Sequence, residues 1–135
     1  MSLLKWTDSL SVGVSELDLQ HQQLVRMINT LHESMTEGHG NLALSQTIDG
    51  LITYTQTHFA AEEAYFARHG YPQALAHQAQ HHAFVTQVQD FKNGFDRGEL
   101  FLSIDVMDFL SSWLVEHIQG SDKEYGPFLN ERGVV

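Results

Sequence analysis

The chain has no cysteine, which removes disulfides and thiolate metal sites together. Any transition metal it holds must therefore sit on imidazole and carboxylate, and zinc ribbons and iron-sulfur clusters are excluded. Cations are scarce as well: seven lysines and arginines stand against seventeen acidic residues, a formal net charge of −10. That balance opposes phosphate backbones and anionic lipid surfaces, so neither nucleic acid nor membrane insertion is expected. No run approaches the ~18 apolar residues of a membrane span, and Met1-Ser2-Leu3-Leu4-Lys5-Trp6 is too short and too soon polar for a signal-peptide core. A soluble cytoplasmic protein is the expectation. Low-complexity segments and linkers are also missing, so the 135 residues read as a single domain, 1–135. A chain of that length buries about 65 to 70% of the surface its unfolded form exposes and folds without a staple.

What is present is a spacing. Apolar residues alternate three and four apart, which keeps one helix face turned toward its neighbours. One seam runs Leu17, His21, Leu24, Ile28, Leu31, Met35, and a second runs Leu44, Ile48, Leu51, Thr55, His58, Glu62, Tyr65. The third reads Ala74, His77, His81, Phe84, Val88, Phe91, Phe95, and the fourth Val106, Leu110, Trp113, His117. Gly38 and Gly40, Gly70 before Pro72, and Gly94 and Gly98 break the pattern between them. Short connections make consecutive helices antiparallel. The fold expected is therefore all-α, an antiparallel up-down-up-down four-helix bundle with an N-terminal arm. Its parts are an arm over 1–16, helices near 17–37, 41–69, 73–96 and 103–119, and a C-terminal tail.

Every seam carries histidine, and the three turns fall almost midway between successive histidine-bearing stretches. Folding at those turns brings His21, His58, Glu62, His77, His81, His117 and Asp122 to one level. His58 and Glu62, like His77 and His81, are four apart and project from one helical face. His117 and Asp122 are five apart, about 140° around a regular helix, so they converge only if the helix widens or ends near Gly120. A core holding five imidazoles and two carboxylates would leave unpaired groups at about 1 to 3 kcal/mol each unless something bound them. Metal would bind them directly and would cancel the buried anionic charge. If the metal is two six-coordinate irons, five imidazole bonds and two bridging carboxylates make nine, and a bridging hydroxide makes eleven of twelve. One position then stays open for a small diatomic ligand.

These motifs resemble the hemerythrins, especially the single-domain bacterial ones. The resemblance is carried by Val12-Gly13-Val14 leading into Leu17-Asp18-Leu19-Gln20-His21, by His58-Phe59-Ala60-Ala61-Glu62-Glu63, by His77 through His81, and by Trp113-Leu114-Val115-Glu116-His117-Ile118 ending at Asp122. Myohemerythrin is itself an example of the up-down-up-down bundle, so fold and family are one inference rather than two. The resemblance implies a non-heme di-iron centre, two iron ions with a bridging oxo or hydroxo group. In it His77, His81 and His117 hold one iron, His21 and His58 the other, and Glu62 and Asp122 bridge. It also implies reversible dioxygen binding at the five-coordinate iron without an outside reductant, and no catalytic residues.

Leu114 and Trp113 share a face with His117, and Leu24, Val25 and Ile28 follow His21 in the same way. These five are the candidate wall of an oxygen pocket, Leu114 matching the family's pocket leucine. His32, His39, His69 and His82 fall off the seams or in turns and are expected to be solvated. Trp6 is expected to pack the arm across the bundle, and Glu63, about 100° around from Glu62, to support the site or face solvent rather than bind metal. The leading function is an oxygen carrier or store. The alternatives are an oxygen- or redox-sensing module, a di-iron oxidase or peroxidase, a nitric-oxide-handling protein, and a structural zinc site. Zinc usually takes four ligands, and paired Glu-x-x-His elements of the carboxylate-rich di-iron enzymes are absent.

Overall fold

The computed structural model describes residues 3–135, so Met1 and Ser2 of the expected arm lie outside the described residues. Helices α1 (Ser15–Thr36), α2 (Asn41–His69), α3 (Ala74–Asp96) and α4 (Ile104–His117) form the four-helix bundle, with no strand among the described residues. Their apolar seams meet in one core, where Leu17, Leu31, Ile48 and Met107 are almost wholly enclosed. Each such side chain contributes about 1.5 to 3 kcal/mol by leaving water. Gly70 ends α2 at φ 68° and Gly98 follows α3 at φ 74°, left-handed conformations that side-chain-bearing residues rarely adopt. Ser103 starts α4 by accepting the Val106 N–H on its hydroxyl at 3.3 Å. Between α3 and α4 the contact is made by large rings, with Phe84 stacked on Trp113 at 3.8 Å and 17°.

The arm is fastened to α1 at two points. Asn29 grips Leu4 with both amide groups, accepting its N–H at 2.8 Å and donating to its carbonyl at 2.9 Å. Asp18 accepts the Ser11 hydroxyl at 2.6 Å and the Val12 N–H at 2.8 Å. Trp6 between them is half-buried and lines a groove with Gln22, Val25 and Asn29, so it lies along α1 and packs on the core.

The chain after His117 differs from the sequence expectation. In place of a regular helix to 119 and then a tail, residues Ile118–Asp122 form one widened π turn, and a further helix, α5, runs Lys123–Glu131. The π turn absorbs the extra residue between His117 and Asp122 while the chain stays helical. α5 is held because it packs: Tyr125 and Leu129 are completely buried. Gly126 allows the approach to the arm, since a Cβ there would stand 2.2 Å from the Val12 carbonyl oxygen. Asn130 completes the junction by donating to the Gly13 carbonyl at 2.9 Å.

Candidate metal centre

The seven sequence-selected residues all come together in the interior. Glu62, His77, His81, His117 and Asp122 form one group, and His21, His58, Glu62 and Asp122 a second, each with one donor atom per residue and all of these within 4.8 Å of one another. The two carboxylates belong to both groups. Asp122 divides its oxygens: Oδ1 stands 2.9 Å from His77 Nε2 and 3.1 Å from His117 Nε2, while Oδ2 stands 3.1 Å from His21 Nε2. Glu62 Oε1 lies 3.1 Å from His81 Nε2 and 3.5 Å from His58 Nε2, with Oε2 3.6 Å from His21 Nε2. All seven residues are buried, His117 the most exposed at 6%.

These separations are short, yet they are not made as hydrogen bonds. The Nε2 atoms of His21, His77, His81 and His117, with Glu62 Oε1 and both oxygens of Asp122, are buried without a hydrogen-bond partner. Polar atoms are rarely orphaned together in a core, because each costs about 1 to 3 kcal/mol. Donors about 2.1 Å from a common ion stand about 3.0 Å apart at right angles and about 4.2 Å apart across it. The distances observed fall in that range, and imidazole with carboxylate is a donor set suited to iron. The residues fit a pair of cations.

Burial and the facing charges pull against each other in this cluster. Burial alone would lower the pKa of His21, but Asp122 and Glu62 raise it to about 9. Burial prevails at His58, whose pKa falls to about 4 despite the charge of Glu62. Burial would raise both carboxyls, and at Glu62 the nearby charge of Asp122 adds to this; the facing imidazoles nevertheless hold both below the ordinary carboxylate range.

Around this cluster stands a layer of supporting groups, most of which the spacing argument missed. His58 Nδ1 meets Gln20 Oε1 at 2.6 Å, and His81 Nδ1 meets Glu63 Oε2 at 3.1 Å. Tyr125, from the segment expected as a tail, donates its hydroxyl to Glu62 Oε2. Rings cover the imidazole faces: Phe59 stacks on His81 at 3.6 Å and 3°, and Trp113 on His117 at 4.4 Å and 13°. Of the expected pocket residues, Leu24, Val25, Ile28 and Leu114 are buried, and Trp113 is half-buried. His39 and His82 are exposed as expected, but His32 and His69 are half-buried, and His32 Nδ1 is enclosed without a partner. No helix is long and apolar enough to cross a membrane among the described residues.

The family model described as the hemerythrin HHE cation-binding domain matches residues 12–129. The chain belongs to the hemerythrin family. A bacteriohemerythrin of Stenotrophomonas maltophilia is 37% identical over 125 residues, covering 93% of this chain and 80% of that one. The bacteriohemerythrin of Methylococcus capsulatus is 34% identical over 131 residues, covering 96% and 99%. A crystal structure of wild-type hemerythrin superimposes with a TM-score of 0.89 at 34% identity, over 93% of this chain and 97% of that one. The buried histidine and carboxylate cluster of this hemerythrin-fold chain is consistent with a non-heme di-iron, oxygen-binding function.

Proposed function

We propose that the seven residues hold two iron ions and that the chain binds dioxygen reversibly there, for oxygen transport, storage or delivery. His77, His81 and His117 would hold one iron and His21 and His58 the other, with Glu62 and Asp122 reaching both and a bridging oxo or hydroxo group between them. The observation that carries this reading is the set of orphaned donors, which fall into two groups sharing two carboxylates. Four-coordinate zinc would leave several of the seven without a partner. Bound iron supplies electrons that can be lent to dioxygen and recovered when it leaves.

The protein's part is positioning and water exclusion. Gln20 and Glu63 orient His58 and His81 through their outer nitrogens, and Tyr125 fixes one oxygen of Glu62. Leu24, Val25, Ile28, Leu114 and Trp113 form the apolar wall in this reading. Such a wall suits a neutral ligand, which enters without a compensating charge, and keeps water from displacing it. In this reading the chain carries oxygen and does not turn it over. Iron-loaded protein exposed to oxygen and then degassed should return the gas unchanged. Continuous oxygen consumption with a reductant would replace the carrier reading with an enzymatic one.

A further inference from the structure

The supports behind the two groups are unequal in charge. Gln20 offers a neutral amide oxygen to His58, whereas Glu63 offers a carboxylate to His81. Phe59 and Glu63 sit one turn apart on α2 and grip the same ring of α3, Phe59 on its face and Glu63 at its edge. That double contact over-determines the orientation of His81. Glu63 is 31% exposed and lies in a surface groove with Gln56, Gln78 and the exposed His82, so it stands at the edge of the site rather than buried in it.

We propose that Glu63 is a positioning residue that makes the two iron positions chemically unequal, favouring the ferric state at the position held by His77, His81 and His117. The inference rests on the di-iron reading above. A carboxylate accepting the Nδ1–H of an imidazole leaves Nε2 as the lone-pair donor and makes it more basic, and a more basic ligand favours the more highly charged ion. An amide accepting from His58 fixes the tautomer with less electron donation. The dyad therefore does more than hold a ring in place.

The test is a charge exchange that keeps the hydrogen bonds. Glu63→Gln retains an acceptor oxygen and removes the charge; Gln20→Glu adds a charge behind His58. Iron content and stepwise midpoint potentials would be measured for iron-loaded wild type and both variants. With two irons per chain in all three, Glu63→Gln is expected to lower the ferric-to-ferrous ratio of one iron about tenfold at fixed potential, about 59 mV upward for one electron. Gln20→Glu is expected to move the other iron the opposite way. Glu63→Ala, which removes acceptor and charge together, should weaken Co(II) binding by about 10- to 100-fold. Unchanged potentials in both charge variants at full iron content would overturn the inference and leave the di-iron reading standing. Wild type that takes up no metal would overturn both.

Discussion

Replacing Tyr125 with phenylalanine removes one oxygen atom from the wall of the metal site and leaves the ring in place. The ring is packed against Phe66 at 5.3 Å and His77 at 5.7 Å, contacts that phenylalanine keeps. What is lost is a hydroxyl donated to Glu62, a carboxylate with no exposed surface. Burial, then the charges of Glu62 and Asp122, raise the phenol well above its ordinary pKa, so it remains a donor throughout the working range. A hydrogen bond to a charged acceptor contributes about 1.5 to 3 kcal/mol, and the oxygen left behind has no water to replace it. Chemical denaturation of the metal-free variant should therefore show a loss of about that size, with the slope against denaturant unchanged. Co(II) affinity should fall as well, because Glu62 is then free to turn away from the shared position. A variant with unaltered Co(II) affinity would refute the reasoning and reduce Tyr125 to a core residue, whatever its stability.

Other perturbations test separate links. His81→Ala should weaken or abolish iron binding while His82→Ala on the neighbouring exposed position spares it, and equal metal contents would undo the α3 register. Leu114→Ala should keep both irons but quicken autoxidation by admitting water; an unchanged rate would remove Leu114 from the mechanism. Metal loading should depend on pH through His21. With its folded pKa raised to about 9, this residue's proton stabilises the metal-free fold below about pH 6.5, and that stabilisation is lost as pH rises through 9. Metal must displace the proton, so apparent Co(II) affinity should climb by about tenfold per pH unit for this group and level off above pH 9. His58, at about 4, has no proton to lose near neutrality. A flat Co(II) affinity profile between pH 7 and 9 would contradict this account of the metal-free site.

How far the sequence was legible depended on whether a residue's role follows from its own helix. His58 with Glu62 and His77 with His81 were legible because a four-residue spacing is a direction in space. The five-residue spacing of His117 and Asp122 required the helix to widen or end between them, and the π turn observed is the first of these. Gln20 was not legible as a support: it adjoins His21 at a position that reads as a polar flank, and its contact to His58 depends on the rotation of α1 against α2. Glu63 was placed off the metal-binding face, but its partner on α3 could not be read from α2 alone. α5 was missed because Gly120, Gly126 and Pro127, within eight residues, are poor helix formers by local propensity. The arm explains Gly126, which leaves the space that the Val12 carbonyl needs. Tyr125 was lost with that helix.

The most direct test of the central claim is X-ray absorption at the iron edge on anaerobically loaded protein, with the iron content of the same sample. The account predicts two irons per chain, each in a shell of nitrogen and oxygen, separated by about 3.5 to 4 Å as in other two-metal sites. One iron per chain, or two with no iron scatterer at that separation, would contradict it.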